Sequence, residues 1–277
     1  MARIGMVNYI NTAPIYEVWK ATINRPDWQV TEAPPSVLNR LLAADELDLG
    51  FVSSYEYAAR PAKYRILADL SISATGPVGS VFLFSTVAPA ELTGRLVLLT
   101  GQSDTSIRLV RIILEEFFHV RPEYVVGEIS GRREADRKID AVLAIGDEAL
   151  RIKLENRYPV QIDLAGFWHQ TTGLPFVFSV CAIREDFVRS EPETALAIRD
   201  ALLRCRAAGL EQLAEICDRV AKRIPMDPAA CCRYLQGIEY DLGPTKQQAL
   251  EKFFTYLISR NEADEQALPL KIFPQDP

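Results

Sequence analysis

Short apolar runs alternate along this chain with stretches in which apolar residues recur every three or four positions. Ile4–Val7, Leu49–Val52, Val81–Phe84, Leu96–Leu99, Ala141–Ile145 and Val177–Ile183 are too short for helices and show little polar alternation, so they predict strands buried on both faces. Pro35–Ala44, Ser106–Phe118 and Asp147–Glu155 have helical spacing instead. The alternation predicts an α/β fold with a mixed or mainly parallel sheet. The nearly continuous helical periodicity from Pro192 onward predicts a helical cover.

Two runs, Val81–Phe84 and Val177–Ile183, bracket a block about the size of a small domain. Taken as crossovers, they divide the chain into a discontinuous lobe, residues 1–84 with 183–277, and an inserted lobe, residues 85–182, with a ligand cleft at the hinge. A single sheet without a hinge is the other reading of the same pattern.

With 277 residues, 48% of them apolar and 25% charged, the chain can bury a sizeable core and has no reason for long disorder. The net charge of −6, with no isolated basic run, leaves out the electrostatic footprint of nucleic-acid binding. No stretch approaches the roughly 20 apolar residues of a membrane span, and Ile4–Val7 is too short for a signal-peptide core, so the expected setting is the cytoplasm. Cys181, Cys205, Cys217, Cys231 and Cys232 are odd in number and lack CxxC spacing, which suits small apolar filler. Cys231 and Cys232 face different directions on a helix and cannot easily pair with each other. Nothing in the residues sets an oligomeric state.

Chemistry concentrates where strands end. Ile4–Val7 runs into Asn8-Tyr9-Ile10-Asn11-Thr12-Ala13-Pro14, and Pro14 suits the first turn of a helix whose free amides face the crevice beyond the sheet. Leu49–Val52 runs into Ser53 and Ser54, Leu96–Leu99 into Thr100–Ser106 with Thr105 and Ser106, and Ala141–Ile145 into Gly146 and Asp147. Thr100–Ser106 is the best anion site of the set, since hydroxyls, freed amides and the helix end can hold a carboxylate without a lysine. At each position helix capping explains the same residue types. Gly79 and Ser80 open the run Val81–Phe84, where glycine permits close backbone approach and the serine can orient a polar substrate. Gly173, Leu174, Pro175 and Phe176 lead into Val177–Ile183 as a pocket wall would, although core packing accounts for Phe176 as well.

Familiar catalytic sets are missing. His119 and His169 are the two histidines, and there is no GxSxG, HExxH, GxGxxG or metal-like Cys/His cluster, so no metal or nicotinamide cofactor is expected.

In order along the chain, Asn8–Pro14, Gly50–Tyr57, Gly79–Ser85, Ile145–Leu150 and Gly173–Phe178 resemble the chorismate dehydratase family of the futalosine route to menaquinone. The sister family that makes dihydroxynaphthoate opens with a Ser-Pro-Cys-Pro-Asn-Asp type segment not found here. The resemblance implies a two-lobed fold similar to type II periplasmic binding proteins. It also implies loss of water from the dicarboxylate chorismate to give 3-[(1-carboxyvinyl)oxy]benzoate without a cofactor. It points to Asn11 and Ser80 for catalysis, to Ser53, Ser54, Gly79, Thr105, Ser106 and Asp147 for substrate contact, and to Gly173–Phe176 for the closing wall. The competing class is a solute-binding or sensory module of the same fold that captures a small carboxylate without converting it.

Overall fold

A computed structural model describes residues 1–129, 138–224 and 226–274. Strand β1 (Ala2–Val7) is parallel to both β2 (Trp28–Ala33) and β3 (Leu49–Ser53). Helices α1 (Ala13–Thr22) and α2 (Pro35–Ala43) make the right-length returns between them. Strand β4 (Tyr64–Ala74) and strand β10 (Phe176–Arg184) join this sheet antiparallel to each other, and β11 (Ile272–Phe273) closes its far edge, giving the order β11-β4-β10-β3-β1-β2. The second sheet has the order β7-β6-β8-β5-β9, built from β5 (Val81–Ser85), β6 (Leu96–Thr100), β7 (Glu123–Gly127), β8 (Ala141–Ile145) and β9 (Val160–Asp163). Both sheets are mixed, as the alternation of elements predicts.

The two runs expected to cross between halves do not do so. β5 pairs with β8 and β9 inside the five-stranded sheet, and β10 lies between β3 and β4 inside the six-stranded sheet. The chain changes sheets between Ala74 and Val81, and again between Thr172 and Phe176, so the predicted divisions after residues 84 and 182 are displaced. Both crossings hold residues that interrupt a ladder, Gly76-Pro77-Val78-Gly79 in one and Gly173-Leu174-Pro175 in the other. An apolar run reports burial on two faces, which a mid-sheet strand has in either sheet, and that is why it could not tell the sheets apart. Residues 130–137, 225 and 275–277 of the predicted lobes lie outside the described residues.

From Pro192 on the chain is helical as predicted, with α7 (Glu185–Ser190) leading into α8 (Pro192–Glu211), α9 (Leu213–Val220), α10 (Pro228–Gln236) and α11 (Pro244–Ser259). Trp168, on α6 (Leu164–Thr172), is fully buried, donates Nε1–H to the Pro175 carbonyl at 3.1 Å, and packs edge-on against Phe176 of β10 and Phe253 of α11. These aromatics tie the smaller sheet's last helix to the helical cover. Cysteines depart from the filler expectation at one place. Cys217 and Cys232 form a disulfide between α9 and α10, with Cα atoms 5.3 Å apart, while Cys181, Cys205 and Cys231 are free and buried as expected. Residues 15 apart in sequence meet here because α9 packs against α10, a contact that spacing alone does not reveal.

Candidate functional site

The four strand-to-helix junctions singled out in the sequence, and with them the start of α2, which was not, place helix N-termini on one cavity between the two sheets. Thr12 precedes α1, Pro35 begins α2, Ser53 caps α3 (Ser54–Ala59), Ser103 caps α4 (Asp104–Ile112) and Gly146 begins α5 (Gly146–Glu155), and all of these residues line it. The sheets contribute Val7, Ile72, Phe178 and Ser179 from one side and Val81 and Ile145 from the other. About 540 Å³ between them is free of protein atoms, counting the part open to solvent. First-turn amides have no intrahelical acceptor and the helix dipoles add partial positive charge, so converging N-termini suit an anion although, among the described residues, no lysine or arginine lines the cavity.

Asn11 and Ser80, distant in sequence, both line this cavity. Asn11 sits in the 3₁₀ turn Ile10–Thr12, its carbonyl accepts the Tyr240 hydroxyl proton at 2.9 Å, and its buried Oδ1 has no hydrogen-bond partner among the described residues. Ser80 is 2% exposed; its carbonyl accepts Gly146 N–H at 2.8 Å and its Oγ is 2.9 Å from the Tyr234 hydroxyl. Tyr9 is the single titratable side chain among the residues lining the cavity. Its hydroxyl donates to Gln102 Oε1, and burial pushes the phenol well above its ordinary pKa, so it stays protonated. Gly146 meets the Tyr9 ring so closely, with φ of +56°, that a Cβ would lie 3.1 Å from it.

The other predicted residues divide. Ser53 lines the cavity while its Oγ accepts Glu56 N–H at 3.3 Å and Asn39 Nδ2–H at 2.9 Å, so capping and lining coincide. Ser106 also lines it, 3.0 Å from Ser103 Oγ. Ser54 does not, because its hydroxyl is spent on the Val177 carbonyl at 2.7 Å, and Thr105 Oγ1 accepts Tyr55 N–H at 2.9 Å, linking α4 to α3. Gly79 turns its N–H to Asp163 at 2.6 Å on the outer side of the crossing. Asp147 stands just behind Gly146, its Oδ1 buried and without a hydrogen-bond partner among the described residues; burial raises its pKa, with the Ile10 backbone amide, Arg151 and Arg223 acting against the rise. Gly173–Phe176 is not in the wall. Gly173 is a left-handed helix C-cap, Leu174 and Pro175 carbonyls face His169 and Trp168, and Phe176 is core. Phe178, two residues on, faces the cavity instead.

Ser179, which lines the cavity, and Asn39, Tyr234 and Tyr240, which stand behind its lining residues, were not legible in the sequence, whereas Ser103 falls inside the expected anion segment Thr100–Ser106. Asn39 holds the site together: its Oδ1 accepts Ser53 N–H at 3.0 Å and its Nδ2 donates to Ser53 Oγ and to Asp104 Oδ2, each at 2.9 Å. An Asn set among the apolar positions of the predicted helix Pro35–Ala44 was the available signal; in the fold it is buried and its amide is fully engaged.

A family model described as menaquinone biosynthesis matches residues 2–258. This chain belongs to the menaquinone-biosynthesis family. Within the menaquinone-biosynthesis family it is 33% identical over 265 residues to a curated chorismate dehydratase of Thermus thermophilus, covering 90% of this chain and 93% of that protein. Among solved structures, a protein of Archaeoglobus fulgidus superposes with a TM-score of 0.76 at 19% identity, over 94% of this chain and 97% of that one. A Candida albicans protein described as having the generic periplasmic binding protein fold superposes at 0.69 and 10% identity, over 96% and 92%. At such identities the likeness is one of fold, and the fold of this menaquinone-biosynthesis family member is periplasmic-binding-protein-like. No helix among its described residues is long and apolar enough to cross a membrane.

Proposed function

We propose that this protein is a chorismate dehydratase, a hydro-lyase that eliminates water from chorismate to give 3-[(1-carboxyvinyl)oxy]benzoate in the futalosine route to menaquinone. The observation that carries this reading is the meeting of Asn11 and Ser80 in one cavity ringed by helix N-termini and hydroxyls. Similarity to the Thermus dehydratase supports it across nearly the whole chain. The two sheets are the two lobes, joined through residues 75–80 and 173–175, and the substrate lies between them.

The cavity suits a dianion because its polarity comes from amides, hydroxyls and helix ends, with no carboxylate among the described lining residues. Dehydration removes a ring proton and a neighbouring hydroxyl and leaves an aromatic ring, so the step is redox-neutral, downhill and independent of a cofactor. The barrier is the problem the protein solves. With Tyr9 held protonated, the substrate's own enolpyruvyl carboxylate is the base that takes the proton. Asn11 and Ser80 then orient the substrate and donate to the charge that builds on the ring carboxylate.

A dianion does not cross a bilayer unaided, so the enzyme works where chorismate is made, which we take to be the cytoplasm. The Cys217–Cys232 disulfide runs against that compartment, where thiols are kept reduced; counting free thiols in protein isolated under alkylation tests it. The function itself is tested by incubating the purified protein with chorismate and following absorbance and mass. Conversion to an aromatic species lighter by one water is the expected result. Saturable binding with chorismate recovered intact would overturn the reading in favour of a solute-binding module.

A further inference from the structure

Ser80 is fixed by its main chain on both sides. Its carbonyl accepts Gly146 N–H at 2.8 Å, and Asp163 accepts Val78 N–H at 3.1 Å and Gly79 N–H at 2.6 Å. None of these bonds sets the direction of the serine O–H, which turns about its own bond and has one proton to give and two lone pairs to fill. The group that meets it is the Tyr234 hydroxyl, 2.9 Å away on α10, in a helical cover that carried no chemical signal in the sequence.

We infer that Tyr234 is a positioning residue for the dehydration: by donating to Ser80 Oγ it occupies a lone pair there and turns the serine proton into the cavity. A phenol is the stronger acid of the two hydroxyls and so the natural donor of the pair. A hydroxyl that accepts such a bond is also a better donor in its turn. Tyr234 does not line the substrate cavity and lies behind Ser80, its ring edge 3.5 Å from where a Cβ on Gly79 would stand. Its place is secured by the neighbouring segment, where Glu239 and Ser73 exchange both backbone hydrogen bonds at 2.8 and 2.9 Å. Tyr240, just beyond, donates to the backbone carbonyl of Asn11 and so fixes its main chain, not its amide. The helical cover thus supports both residues assigned to the chemistry.

The inference rests on the dehydratase assignment of Ser80, and a double-mutant cycle separates the two. Tyr234→Phe, Ser80→Ala and the double variant are assayed for chorismate turnover and for melting temperature. Tyr234→Phe should lower kcat about tenfold, the worth of one oriented hydrogen bond, with KM and melting temperature near those of the parent. In the Ser80→Ala background the same change should cost nothing further. An unchanged kcat in Tyr234→Phe, or losses that add in the double variant, would overturn the inference. Full turnover by Ser80→Ala, or none by the parent, would instead remove the assignment beneath it and the inference with it. If Tyr234→Phe melts below the assay temperature, fluorotyrosine incorporated at 234 takes its place, acidifying the same hydroxyl. A change in kcat then supports orientation, and a constant kcat overturns it.

Discussion

Gly209 and Pro14 touch through their backbones: a Cβ built on Gly209 would stand 1.6 Å from the Pro14 carbonyl oxygen. Helix α8 therefore lies directly on the first turn of α1, whose N-terminus faces the cavity. Carbonyl and Cα belong to two packed helices, so neither can yield without moving a whole element. Gly209→Ala is expected to destabilise the fold by at least about 1–3 kcal/mol, as overpacking does. Denaturant unfolding measures it, and a stability equal to that of the parent would show that α8 shifts freely.

Asn11→Ala removes an amide whose Oδ1 faces no protein group, so stability has little to lose. Turnover is where the loss should appear, by ~10²-fold or more for a lost oxyanion-type donor. Chorismate assays on the variant, beside a thermal melt, check both halves, and an unimpaired rate would refute the role given to Asn11.

Asn39→Ala strips Ser53 of two partners and Asp104 of one. A buried polar group left unpaired costs about 1–3 kcal/mol. The loss should exceed that of a typical surface substitution and should raise KM for chorismate, since Ser53 and the start of α4 both face the cavity. Calorimetry together with steady-state kinetics tests this, with an unaltered melting temperature as the contrary outcome.

Asp147 gives the protein a pH dependence of definite sign. Burial raises its folded-state pKa above the ordinary 3.8, so in the window between the two values the folded chain binds more protons than the unfolded one. Stability contributed by this group is full below 3.8 and is lost as pH rises through the folded value. Asn keeps the shape of the side chain without the charge. Asp147→Asn should therefore match the parent in acid and become the more stable protein as pH rises toward neutrality. Melting curves for the pair across pH show it, and a gap that closes on raising pH would contradict the sign.

How far the site was legible depended on what kind of signal each residue sends. Asn11, Ser53, Ser80 and Ser106, which line the cavity, stood out because a polar or hydroxyl residue beside a buried strand end is conspicuous within a few positions of sequence. Ser54 and Thr105 sent the same local signal, but their hydroxyls bond backbone groups of neighbouring elements, since a one-residue offset on a helix or strand turns the side chain elsewhere; Gly173–Phe176, singled out as a Gly- and Pro-containing aromatic loop, caps α6 and packs into the core. Strand β4 was not recognised at all, its pattern being broken by Asp69 at positive φ and by register shifts against β10.

By itself the sequence determined the α/β class, the helical cover and the polar strand ends that come to line the cavity, because apolar periodicity and capping residues act over one or two turns of chain. Tertiary structure alone decided which sheet each strand joins, that Cys217 meets Cys232, and that Tyr234 and Tyr240 stand behind Ser80 and Asn11. Those pairings join residues up to 229 positions apart, and contacts of that range are set by how whole elements pack, for which no local pattern exists.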